Sequence, residues 1–175
     1  MVEKIALICF SVLLAFFISE CCLGLAAKQK TNRLVRKHYL EQLKRLYTVS
    51  SDKAVSYEHR PHANIQFQSS KGDNYTMHIV TNSQGLREDN DIAFEKPVNV
   101  RRIIGLGDSV VFGASVDNNK TFLKEMEHQF EKKGLAVETL NFGIGFSNPR
   151  MEYYYLKYKN ADRYTPDIIL LGFCL

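Results

Sequence analysis

After Pro97 the hydrophobic pattern alternates between short apolar runs and longer amphipathic stretches. The apolar runs are rich in β-branched residues and predict three strands, at 100–106, 135–141 and 167–171. The amphipathic stretches predict two helices, at 118–133 and 149–159. Strands that alternate with helices in this way are typical of a parallel sheet with right-handed crossovers.

Each predicted strand ends at a glycine turn, at Gly107, Gly143 and Gly172. Ligands of parallel sheets bind at the carboxyl ends of the strands. We therefore expect the three turns to share one rim. The last run, DIILL, is apolar at every position, as in a strand that is buried on both faces.

The N-terminal part has a different pattern. An apolar run at 5–19 continues past Glu20 to Ala27, which predicts a membrane anchor over 1–27, with a cleaved signal peptide as the alternative. The stretch 28–50 predicts a basic amphipathic stalk helix. This stalk has two possible interpretations: a helix that binds anionic lipid headgroups, or an ordinary solvated helix.

A polar lead-in at 51–98 follows, with short extended pieces and one alternating run at 75–81 that predicts a strand. The remaining domain is 99–175. This division predicts an anchor or signal, a stalk, a lead-in and one α/β domain.

The amino-acid composition narrows the possible classes of protein and of binding partner. The 175 residues are 45% hydrophobic and 24% charged, which is ordinary for a globular protein. The formal charge of +4 is concentrated directly after the apolar segment, so we expect a membrane surface, and no nucleic acid, as a partner.

Metal and cofactor patterns are weak. Cys9, Cys21 and Cys22 lie in the apolar segment, and no spacing indicates zinc. The pair His59 and His62 is separated by a proline and has no further ligand pattern. We expect no metal and no organic cofactor.

The segment GLGDSVVFG at 105–113 is the strongest candidate for chemistry. Val110 stands where a dinucleotide loop needs its third glycine, and a P-loop's Gly-Lys-Ser/Thr ending is missing. The two remaining interpretations are a nucleophile turn that presents the Ser109 hydroxyl and N–H on the rim, and a structural turn serine.

Four short motifs in order resemble the SGNH (GDSL-type) hydrolase family over residues 75–175. GDS at 107–109 matches the first block, NFGIG at 141–145 looks like the second, and PDIILLGF at 166–173 resembles the strand before the third. TNSQGLR at 81–87 is similar to the lead-in of membrane-anchored members. The resemblance implies the N-terminal portion of a flavodoxin-like, doubly wound parallel sheet that carries a serine esterase.

By this resemblance Ser109 is the nucleophile and Asp108 supports its turn. The N–H groups of Ser109 and of a glycine in the second block, which includes Gly143, hold the oxyanion. An ungapped alignment puts the family's oxyanion glycine at Phe146, and a one-residue shift puts it at Gly145. The substrate implied is an acyl or acetyl ester, on a polysaccharide or a lipid.

The family's third-block Asn-Asp pair and closing Asp-x-x-His block are absent from this sequence. His128 is the sole histidine after Ser109, and it falls within a predicted helix. We therefore expect an incomplete catalytic set and an inactive chain, the alternative being a truncated, non-catalytic, membrane-anchored interaction protein. The resemblance implies an extracytoplasmic domain on a single-pass anchor, whereas the basic cluster favours the cytoplasm.

Overall fold

The computed structural model describes residues 2–68 and 76–173, without the side chains of residues 2–13, 15 and 68. The chain divides into two compact units, Met1–Leu40 and Glu41–Leu175. Tyr75, the first residue of the strand predicted at 75–81, lies outside the described residues.

The N-terminal unit is helical. Helix α1, Val2–Leu46, includes both the predicted anchor and most of the predicted stalk, and its last residues belong to the second unit. Among the described residues, no helix combines the length and apolarity needed to cross a membrane. The predicted single-pass anchor, and the localisation based on it, are wrong.

Two small antiparallel sheets open the second unit. Strand β1, Tyr47–Val49, pairs with β2, Tyr57–His59, so that Tyr47 lies opposite His59. Strand β3, Asn64–Gln68, pairs with β4, Thr76–Val80. Strand β4 lies in the run predicted as a strand, β2 and β3 lie in the lead-in where short extended pieces were predicted without bounds, and β1 lies in the predicted stalk.

The third sheet contains the strands predicted after Pro97. Strand β5, Arg101–Gly107, lies between β6, Val137–Gly143, and β7, Ile168–Gly172, and both pairings are parallel. Gly107 is in register with Gly143 and with Gly172, so the three strand ends lie side by side. The carboxyl ends of β5, β6 and β7 therefore form one rim.

Helices cover both faces of this sheet. Helix α4, Pro149–Tyr158, shares a hydrophobic core with alternate residues of β5 and β6, including Leu106 and Phe142. On the other face lie α2, Ser109–Phe112, and α3, Phe122–Glu131, whose Leu123 packs on Gly105. The helix predicted from residue 118 begins at Phe122, because Thr121 adopts an extended backbone and caps the helix with its side chain.

The predicted fold class, the N-terminal portion of a flavodoxin-like, doubly wound parallel sheet preceded by a transmembrane helix, is wrong. The described residues form a mixed α/β structure whose parallel sheet has three strands. Strand β7 does not lie between two others in the described part of the chain. Ile168 and Ile169 are 51% and 48% exposed, so both faces of β7 are open, although its sequence is typical of a buried strand.

Candidate active site

Ser109 lies at the rim, directly after β5. The Asp108 carboxylate accepts a hydrogen bond from the Val110 N–H at 2.8 Å, which caps the short helix α2. Ser109 is half-buried, and within the described chain neither its hydroxyl nor its N–H has a hydrogen-bond partner. Both groups are thus available to a ligand.

Gly143 ends β6 against the backbone of α2. A Cβ at residue 143 would lie 2.2 Å from the Phe112 N atom, so only glycine permits this approach. The Asn141 side-chain amide donates to the carbonyls of Val111 and Phe112 at 3.2 and 3.4 Å. Together these contacts hold β6 against the helix that begins at Ser109.

The turn after β6 brings Gly145 beside Ser109. A Cβ at residue 145 would lie 4.0 Å from the Ser109 Cβ. The next residue, Phe146, has φ +65 and is 66% exposed. The left-handed backbone that favours glycine therefore falls at residue 146, where the ungapped alignment puts the family's glycine, while Gly145 is the residue beside Ser109.

Two tyrosines from the β1–β2 sheet also approach Gly145. The Tyr57 hydroxyl donates to the Gly145 carbonyl at 2.9 Å, and burial raises the pKa of Tyr57. The Tyr47 hydroxyl oxygen lies 2.6 Å from the position of a Cβ at residue 145. Neither tyrosine was predicted from the sequence as a site residue, because Tyr47 reads as the end of the stalk helix and Tyr57 lies in a segment that reads as loop.

Arg87, from the TNSQGLR lead-in, supports the far end of α2. Its guanidinium is 2% exposed and donates to the carbonyls of Phe112, Gly113 and Val116. It also lies over the Phe112 ring, 4.6 Å from the centroid. Burial lowers the pKa of Arg87 to about 10, so it remains a cation at neutral pH. Sequence inspection placed Arg87 in a motif without assigning it this role.

Ser147 and Glu152 stabilise the turn after β6 by a hydrogen bond between their side chains. The Ser147 hydroxyl donates to a Glu152 carboxylate oxygen at 2.7 Å, and Glu152 is 2% exposed. The other Glu152 oxygen has no partner among the described residues. A hydroxyl bound to a buried carboxylate is held in one orientation, which restrains residues 145–147.

No histidine of the described chain forms a hydrogen bond with Ser109. His128 lies on the exposed side of α3, with its Nδ1 3.6 Å from a Glu131 carboxylate oxygen. His59 is 1% exposed, and its ring is stacked on Phe112 with the centroids 4.7 Å apart. Burial, reinforced by Lys159, lowers the pKa of His59 to about 3, so His59 is neutral at physiological pH.

The arrangement leaves the hydroxyl and the N–H of Ser109 available to bind a small polar group at the rim. Within the described part of the chain, no group of three or more His, Cys, Asp or Glu side chains is placed to hold a metal ion. Comparison with family models and with curated proteins finds no matching family and no matching protein.

Proposed function

We propose that residues 99–175 carry an SGNH-type serine ester hydrolase site, with Ser109 as the nucleophile and an acyl or acetyl ester as the substrate. The observation that supports this proposal is the approach of Gly145 to Ser109 at the carboxyl ends of β5 and β6. Two backbone N–H groups beside a serine hydroxyl can stabilise the negative charge that develops when serine attacks an ester carbonyl.

The proton of the Ser109 hydroxyl has to leave during this attack. Serine is a weak nucleophile without an adjacent base, and no histidine of the described residues forms a hydrogen bond with Ser109. We therefore expect acylation of Ser109 to be slow and to accelerate with rising pH, because hydroxide in the solvent takes the proton.

The test is labelling with a fluorophosphonate, followed by mass mapping of the modified peptide. Wild type should be labelled at Ser109, Ser109→Ala should not, and Ser115→Ala should behave as wild type, since Ser115 is an exposed serine outside the site. Equal labelling of wild type and Ser109→Ala would refute the proposal.

A second candidate is a non-catalytic protein that retains the fold of this site. It is favoured by the lack of a histidine base, since no histidine of the described residues forms a hydrogen bond with Ser109. This candidate predicts that prolonged incubation at high pH yields neither labelling of Ser109 nor ester hydrolysis. Hydrolysis of p-nitrophenyl acetate that depends on Ser109 would exclude it.

A further inference from the structure

The turn after β6 holds a phenylalanine in a backbone conformation that favours glycine. The Ser147 N–H donates to the Ile144 carbonyl at 3.3 Å, so Gly145 and Phe146 are the two central residues of the turn. The φ of Phe146 is +65, whereas the φ of Gly145 is not positive. A positive φ at the second central residue alone is the pattern of a type II turn, which usually has glycine there. The turn therefore contains an unfavourable residue that its surroundings have to stabilise.

A type I turn could join the same two ends without this cost. Its second central residue has a negative φ, which phenylalanine adopts readily. The two turn types differ by a rotation of the peptide group between the central residues, which reverses the directions of its C=O and its N–H. Backbone preference alone thus favours the other orientation of the Gly145–Phe146 peptide group. Its contacts must decide the orientation that is present.

Tyr57, on β2, supplies such a contact. Its hydroxyl donates to the Gly145 carbonyl at 2.9 Å, and no other group of the described chain donates to that oxygen. Burial raises the pKa of Tyr57, so the hydroxyl keeps its proton at neutral pH. In the rotated peptide group the carbonyl would point away from this hydroxyl and the hydrogen bond would be lost. The Tyr57 hydroxyl therefore stabilises the type II turn against the type I turn.

The orientation of this peptide group affects the surroundings of Ser109. A Cβ at residue 145 would lie 4.0 Å from the Ser109 Cβ, so the turn borders the serine. The Phe146 N–H belongs to the same planar group as the Gly145 carbonyl, and it has no acceptor within the described chain. By holding the carbonyl, Tyr57 also fixes the direction of a free N–H at the rim.

We infer that Tyr57 is a positioning residue, whose hydroxyl selects the orientation of the Gly145–Phe146 peptide group and thereby controls the reactivity of Ser109. The inference rests on the proposed function. Tyr57 contacts neither the ester nor the Ser109 hydroxyl in this role, and it transfers no proton. It acts through the backbone of the turn.

The test compares rates of fluorophosphonate labelling at Ser109. Tyr57→Phe keeps the ring and removes the hydroxyl, and it should react about fivefold more slowly or less, the factor by which one typical hydrogen bond shifts an equilibrium. Tyr153→Phe, which removes a hydroxyl from an exposed tyrosine of α4, should react as wild type.

A second substitution separates the orientation of the turn from general damage to the fold. Adding Phe146→Gly to Tyr57→Phe should restore the wild-type rate, because glycine adopts the left-handed backbone without the hydrogen bond. Adding Phe146→Ala should not restore it, because alanine disfavours that backbone as phenylalanine does. Recovery with glycine alone also shows that the Tyr57→Phe chain still folds.

Proton NMR reports the turn directly. In wild type the Gly145 Hα should show a strong nuclear Overhauser effect to the Phe146 N–H, as in a type II turn. In Tyr57→Phe an effect between the N–H protons of residues 145 and 146 should replace it, as in a type I turn. An unchanged pattern or labelling rate in Tyr57→Phe, or equal recovery with glycine and alanine, overturns the inference and leaves the proposed function standing. Absence of Ser109-dependent labelling in wild type overturns both.

Discussion

Substituting alanine for Gly145 would place a methyl group where the Tyr47 hydroxyl already lies. The distance of 2.6 Å from that Cβ to the hydroxyl oxygen is shorter than any stable contact, so one of the two groups has to move. The Tyr47 ring is packed against Tyr57, His59 and Phe146, which limits its movement. Overpacking of this kind costs about 1–3 kcal/mol of folding free energy.

Removing the hydroxyl should remove most of that cost. In Tyr47→Phe the nearest remaining atom of residue 47 is Cζ, at 3.8 Å from the new Cβ, which is ordinary van der Waals contact. Gly145 has no left-handed backbone that would penalise alanine. The two substitutions should therefore be coupled by about 1–2 kcal/mol in a double-mutant cycle.

The assay is urea denaturation of wild type, Gly145→Ala, Tyr47→Phe and the double variant. A second cycle, in which Tyr153→Phe replaces Tyr47→Phe, is the control in which no coupling is expected. We expect the double variant to be more stable than the sum of the single effects predicts. Additive effects, equal to those of the control cycle, would show that Tyr47 does not border residue 145.

Three further predictions concern the residues around the site. Because burial lowers the pKa of His59 in the folded chain to about 3, the unfolded chain binds a proton below about pH 6.5 that the folded chain does not. The free energy of unfolding should therefore fall as the pH is lowered from about 6.5 to about 3. The urea midpoint should fall less in His59→Phe than in wild type or in the control variant His128→Gln. Arg87→Met should lower the free energy of unfolding by about 3 kcal/mol or more, since buried carbonyls at the end of α2 lose their donor; a loss below about 1 kcal/mol in urea titration would contradict this role. Phe146→Gly should be more stable than Phe146→Ala by about 1 kcal/mol in the same titration, because residue 146 has a left-handed backbone, and the reverse order would exclude that conformation.

The strands and helices after Pro97 could be predicted because their signals are local. A period of two or of about four residues reports which side of an element is covered, and that pattern depends on near neighbours in the chain. Strands β5, β6 and β7 lie close to the predicted ranges. Their terminal glycines lie side by side because the strands pair in parallel.

The wrong predictions concern what surrounds these elements. The sequence of β7 is that of a buried strand, yet whether a strand lies in the middle of a sheet depends on its partners, and β7 has β5 on one side only within the described chain. The predicted membrane anchor is the second wrong prediction, because no helix among the described residues is both long and apolar enough to cross a membrane.

By itself the sequence determined the order of strands β5, β6 and β7 and of helices α3 and α4 between them, and the turn that carries Ser109. Only the tertiary structure decided that Gly145 lies beside Ser109, that Tyr47 and Tyr57 approach Gly145, and that Arg87 supports α2. Tyr57 and Gly145 are 88 residues apart in the chain. Contacts at such separations depend on how whole elements pack, and no local period along the chain records them.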